Sequence, residues 1–154
     1  LRCRPAVFFD RDGVINVSPP RGEYITKVEQ LTLFDNVFDW IRLFNELDFL
    51  VIVVTNQRCI ATGIATSTDI DALHRHIAGE CLARGCRIDD FFVCPHAADS
   101  CNCRKPKPGM VLAAVHKWNI DLPKSLVIGD SDLDRDLARN CDMRFVRAEN
   151  GRLR

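Results

Sequence analysis

The segment Phe9-Asp10-Arg11-Asp12-Gly13 sets two carboxylates two positions apart, directly after the short apolar run Ala6 to Phe9. A carboxylate leaving a buried strand stays ionised only beside a cation or several hydrogen-bond donors. Magnesium meets that need, because it takes carboxylates, carbonyls and water in an octahedral shell. Asp10 and Asp130, the latter in Gly129-Asp130-Ser131-Asp132, are the expected anionic ligands. Asp10 then becomes the expected nucleophile toward a phosphoryl group. Asp12 has the placement of a general acid for the leaving oxygen and of a base for the water that cleaves the phospho-aspartate. Thr55 offers a hydroxyl to the phosphoryl oxygens and Lys105 a point charge. Each feature also has a plainer reading: a turn with solvated carboxylates, a β-forming threonine, a surface lysine, acids that complement a helix macrodipole. Asp134, in the same acidic run, is expected to support the metal site from behind.

A second group collects in ten residues. Cys94, His96, Cys101 and Cys103 form the pattern CxHx4CxC. Four soft or borderline ligands with none left open for substrate suit a structural zinc ion. Its expected task is mechanical: to stiffen a loop without a core and so fix Arg104 and Lys105 over the phosphate. The other five cysteines, Cys3, Cys59, Cys81, Cys86 and Cys141, are scattered and odd in number. They read mostly as small buried apolar residues.

The elements that must position these groups alternate. Strands are expected at Ala6–Phe9, Leu50–Val54, Asp89–Val93, Ser125–Ile128 and Met143–Val146. Between the first two, Val37, Trp40, Ile41, Phe44 and Leu47 recur at helical spacing. Ser67 is the expected N-cap of a second helix carrying Ile70, Leu73, Ile77 and Leu82 and ended by Gly85. Two more helices follow, about Met110 to Trp118 and from Asp132 to Asn140 or Cys141. His74, His76 and His116 are expected on solvated or partly buried helix faces. The pattern is that of an α/β protein with a parallel sheet covered by helices on both faces. Ligands of such sheets bind beyond the carboxyl ends of the strands, which is where Asp10, Thr55, Lys105 and Asp130 fall.

A length of 154 residues with 47% hydrophobic residues implies one domain, residues 1–154. Lys+Arg and Asp+Glu both total 21, so no global field draws in nucleic acid or an anionic membrane. No apolar run approaches the roughly 20 residues of a membrane span, and Leu1-Arg2-Cys3-Arg4-Pro5 lacks a signal-peptide core. A cytoplasmic monomer acting on a small phosphorylated metabolite is expected.

The set FFDRDGVIN, VVTNQ, CPHx4CxCRKPKPGM and VIGDSDLD resembles the haloacid dehalogenase-like phosphatases, in their zinc-loop branch of heptose-bisphosphate and histidinol-phosphate phosphatases. The likeness spans Val7 to about Val146. It implies a Rossmann-like domain with a minimal cap, an aspartyl-phosphate on Asp10, and Asp12 as acid and base. It further implies magnesium held by Asp10, Asp130 and the carbonyl of Asp12, with phosphate held by Thr55, Asn56 and Lys105. Gln57, Arg58, Arg104 and Ser18 complete the expected substrate-binding set. Selectivity is expected from the loops Val17–Tyr24 and Arg58–Gly63 and from the zinc loop. GVIN, Gly22-Glu23-Tyr24-Ile25 and KPKPGM favour the heptose enzymes, whereas the four-residue gap between His96 and Cys101 is closer to the histidinol-phosphate enzymes. Arg58 is open to two readings, a grip on a second phosphate or a solvated arginine. Ser131 stands where the heptose enzymes tend to carry lysine. Outside the enzymes, a phospho-accepting receiver-type signalling domain shares an aspartate, a threonine and a lysine on a doubly wound sheet, but it has no counterpart of Asp12.

Overall fold

The computed structural model describes residues 2–154. Its sheet has six strands in the order β3-β2-β1-β4-β5-β6. They are β1 (Ala6–Phe9), β2 (Leu50–Asn56), β3 (Asp90–Cys94), β4 (Leu126–Gly129), β5 (Arg144–Glu149) and β6 (Arg152–Leu153). The first five run parallel; β6 pairs antiparallel with β5. Side chains of β1 alternate between two cores, as the period of two requires. Val7 and Phe9 pack with Val37, Phe38 and Ile41 of α1 (Asp35–Glu46) and Ile77 and Cys81 of α2 (Ser67–Ala83). Ala6 and Phe8 pack with Met110, Val111 and Ala114 of α3 (Gly109–Trp118) and Leu137 and Ala138 of α4 (Asp132–Asn140). Burial on both faces explains why β1 and β2 are continuous apolar runs rather than alternating ones.

The expected elements are present, with differences at their ends. β2 extends through Thr55 and Asn56, which still pair with Val93 and Cys94. Thr66, not Ser67, caps α2: its hydroxyl accepts from Asp69 N at 3.1 Å while Asp69 Oδ2 accepts from Thr66 N at 2.8 Å. Leu47 and Leu82 are exposed rather than core-facing. The two-residue β6 was not expected. Of the scattered cysteines, Cys59, Cys81 and Cys86 are buried, Cys141 is half-buried and Cys3 is exposed.

A third, smaller core lies above the carboxyl edge of the sheet. Ile25, Cys59, Ala65, Ile70 and Leu73 tie the 17–33 and 57–66 loops to α2, with Tyr24, Val28 and Ile60 packed around them. Of the loops expected to govern selectivity, Arg58–Gly63 is anchored through Cys59 and Ile60 and Val17–Tyr24 at its Tyr24 end.

Candidate active site

One residue past β1, Asp10 still donates its backbone N–H to Ile128 O at 2.9 Å, so the sheet fixes its position. Its Oδ1 accepts from Lys105 Nζ at 2.8 Å and from Arg11 N at 2.8 Å. Lys105 is buried, and its ammonium uses all three donors: Asp10 Oδ1, Asp134 Oδ1 at 2.8 Å and the Val54 carbonyl at 3.0 Å. Burial alone lowers a lysine pKa; here Asp10 and Asp134 outweigh it and raise Lys105 above its usual range. Asp134 reaches Lys105 through the helix cap. Ser131 Oγ donates to Asp134 Oδ2 at 3.0 Å, which leaves Oδ1 turned to the lysine.

One oxygen each from Asp10, Asp130 and Asp134 lies within 4.8 Å of the others. Three carboxylates against one ammonium leave a surplus of negative charge. Burial pushes Asp10 up to about 8, with Asp134 and Asp130 adding to it and Lys105 opposing. Burial likewise raises Asp130, with Asp134 adding and a hydrogen bond from Asp10 opposing. Such a donor set fits a hard divalent cation, which would remove the repulsion. Two glycines make the crowding possible. Gly13 holds φ +87, and a Cβ there would meet Asp130 Oδ2; at Gly129 a Cβ would stand 2.2 Å from that of Asp134.

Asp12 is held differently. Its Oδ1 accepts from Arg11 Nε at 3.1 Å, Arg11 Nη2 at 2.9 Å and Asn16 Nδ2 at 3.0 Å. Its Oδ2 has only Gln57 Nε2, at 3.4 Å. With three donors on Oδ1, any proton Asp12 carries must sit on Oδ2. Gln57 is buried and also donates to Thr55 Oγ1 at 2.8 Å, so it links the acid to the hydroxyl. Arg11 is fully buried, and its Nη1 meets His74 Nε2 at 3.2 Å. His74 is buried too, against the expected solvated or partly buried face, and stacks on Phe91 with centroids 4.5 Å apart. Burial first, and Arg11 second, hold its pKa down to about 3, so the imidazole is neutral near pH 7.

A cleft of about 200 Å³ opens among Asp10, Asp12, Thr55, Asn56, Arg104 and Lys105, beside Ser131 and Leu133. Six of the expected residues thus meet at one place. Asn56 spends its side chain on Lys105: Oδ1 accepts from Lys105 N at 3.0 Å and Nδ2 donates to Lys105 O at 3.4 Å. Arg104 lines the cleft, and its Nη1 is buried with no hydrogen-bond partner among the described residues. Arg58 is exposed and does not line the cleft. Ser18 is exposed too, but its Oγ lies beside Gly13 and Asp130, and it lines with them, Arg147 and Arg154 a neighbouring cavity of about 490 Å³. Arg11, Asn16 and His74 were not expected to take part. His74 gave a readable signal, since it falls on the apolar stripe Ile70, Leu73, Ile77 and Cys81 of α2.

Beside the cleft, Cys94 Sγ lies 3.6 Å from His96 Nδ1, 3.6 Å from Cys101 Sγ and 3.1 Å from Cys103 Sγ; His96 Nδ1 is 3.2 Å from Cys103 Sγ. Thiolates sharing one zinc at ~2.3 Å stand roughly 3.8 Å apart, so the four atoms are grouped as a tetrahedral site requires, slightly contracted. Cys94 closes β3, and Cys103 immediately precedes Arg104, so the cluster bridges the strand end and the cleft wall.

The chain is similar to known phosphatases in sequence and in fold. Residues 102–154 match the model of the HAD-hydrolase-like family. The chain is 38% identical to the D-glycero-beta-D-manno-heptose-1,7-bisphosphate 7-phosphatase of Rhodopseudomonas palustris, over 88% of this chain and 78% of that protein. It is 36% identical to the D-glycero-alpha-D-manno-heptose-1,7-bisphosphate 7-phosphatase of Campylobacter jejuni, over 90% and 78%. The crystal structure of D,D-heptose 1,7-bisphosphate phosphatase from B. bronchiseptica, complexed with magnesium and phosphate, superposes with a TM-score of 0.83 at 26% identity, over 96% and 83%. Among the described residues no helix is long and apolar enough to cross a membrane.

Proposed function

The chain belongs to the haloacid dehalogenase-like phosphatases, and we propose that it removes the 7-phosphate of D-glycero-D-manno-heptose 1,7-bisphosphate through an aspartyl-phosphate on Asp10. The observation that carries this reading is the unequal treatment of two carboxylates two residues apart. Asp10 shares Oδ1 with Lys105 amid surplus negative charge, while Asp12 is locked at Oδ1 with Oδ2 left for the proton.

Asp10 and Asp130, with the carbonyl of Asp12, would hold magnesium. Bound there, the ion supplies the positive charge that offsets repulsion between Asp10 and the phosphate. Asp10 attacks phosphorus as the bond to the sugar oxygen breaks, and that oxygen takes the proton from Asp12 Oδ2. Asp12, now ionised, accepts a proton from water. The water opens the phospho-aspartate, phosphate leaves, and both carboxyl groups return to their starting states. Thr55 and Arg104 hold the phosphoryl oxygens, while Lys105, its three N–H groups already spent, adds a fixed positive charge beside Asp10, with Asn56 and Gln57 fixing Lys105 and Thr55 from behind. Cys94, His96, Cys101 and Cys103 would hold a structural zinc, which sets where Arg104 lies. The whole chain acts as one domain.

Histidinol phosphate is the competing substrate, on the strength of the short His96 to Cys101 spacing. Phosphate release measured with and without Mg2+ on heptose 1,7-bisphosphate, histidinol phosphate and simple sugar phosphates tests the proposal. Asp10→Asn is expected to be inactive; undiminished activity there would remove the nucleophile assignment, and fastest turnover of histidinol phosphate would change the substrate but not the chemistry.

A further inference from the structure

We propose that Arg11 and His74 are positioning residues that keep Oδ2 of Asp12, rather than Oδ1, facing the leaving group. The inference rests on the phosphatase reading above and extends it to two side chains that touch no substrate.

An arginine with no exposed surface loses its hydration and must recover it from protein acceptors. Arg11 recovers it from two side chains. Nε and Nη2 both end on Asp12 Oδ1, while Nη1 ends on His74 Nε2. A guanidinium only donates, so His74 Nε2 must accept, and the imidazole carries its proton on Nδ1. The planar fork is thus held at both ends: by a carboxylate oxygen on one side, and on the other by a ring clamped in α2 against Phe91, with the ring planes 12° apart.

The consequence concerns rotation of the Asp12 carboxyl about χ2. Its two oxygens are chemically equal, and a half-turn would exchange them. With Arg11 fixed, the exchange would carry a protonated oxygen into three N–H donors, where it has little left to accept with. Loss of the His74 contact frees the Arg11 fork to tilt and removes that bias. His74 therefore acts on proton delivery through Arg11, and it does not line the cleft.

Leaving-group dependence separates this from a general structural role. A sugar alkoxide needs a proton in the transition state, whereas 4-nitrophenolate leaves without one. In kcat/KM, which reports transfer to Asp10, His74→Leu and Arg11→Lys are each expected to lower the ratio of sugar phosphate to 4-nitrophenyl phosphate about tenfold or more. His74→Gln, which offers an acceptor near the Nε2 position, is expected to restore most of that ratio. Equal losses on both substrates, or a His74→Gln ratio no better than that of His74→Leu, overturn the proposal. Should His74→Leu not fold, as judged by circular dichroism, the ratio in Arg11→Lys decides alone. Absence of phosphate release by the unmodified protein from either substrate would instead refute the phosphatase reading, and this inference with it.

Discussion

A Cβ added to Gly13 would stand 1.9 Å from Asp130 Oδ2, so the glycine after Asp12 is the floor on which the Asp130 carboxylate rests. Gly13→Ala meets two penalties. The left-handed φ of +87 costs a side-chain-bearing residue about 1–2 kcal/mol, and Asp130 must move. The expected result is an Mg2+ activation curve displaced to concentrations about tenfold higher or more, with a melting temperature lower by several degrees. Magnesium titration of phosphate release and a thermal scan check both.

Lys105→Met keeps the stem and removes the ammonium, leaving Asp10 and Asp134 to face one another. Breaking a buried ion pair from one side costs about 3–5 kcal/mol. Urea unfolding without metal should show a loss of that size, partly recovered with Mg2+. Turnover should fall by about a hundredfold or more, because the phosphoryl oxygens lose a fixed cation.

In metal-free buffer the protein should lose stability as pH rises. Folded Asp10 holds its proton up to about 8, whereas in the unfolded chain it releases it near the ordinary 3.8. Between those values the unfolded state binds fewer protons than the folded one, so the free energy of unfolding declines with pH. Melting temperatures recorded from about pH 5 to about pH 8 should fall, and added Mg2+ should raise the melting point more at the alkaline end.

For the cysteine cluster, metal analysis of the purified protein should give one zinc per chain. Cys101→Ser should reduce that content and make the 95–108 loop sensitive to protease, with activity falling because Arg104 and Lys105 follow directly on Cys103. Full zinc content and an intact loop in Cys101→Ser would exclude this ligand.

The residues that follow strands were legible in the sequence because a parallel sheet delivers strand ends to one edge. That rule placed Asp10, Thr55 and Asp130 at one edge, with Lys105 reached through the cysteine loop that follows β3. Arg11 was not legible: a charged residue inside an acidic turn reads as solvated, and nothing local announces that its guanidinium is buried between Asp12 and a histidine 63 positions away. Asn56 was assigned to phosphate, yet its side chain is spent on the backbone of a residue 49 positions away, a pairing no local pattern announces. Thr66 and Ser67 are both good caps by residue type; Asp69, three residues after Thr66, is the sign that distinguishes them. β6 is two residues long and carries no periodicity to read.

The placement of β1 bears on how the molecule comes together. Phe9 is paired with Val53 on one edge and with Ile128 on the other, so the strand made earliest is flanked on its second side only after some 120 further residues have been joined. Distant pairings of this kind are reached late, after much loop entropy has been lost. A chain ended before Gly129 would carry Asp10 and Lys105 but lack Asp130 and Asp134, the two carboxylates that crowd Asp10 in the folded protein.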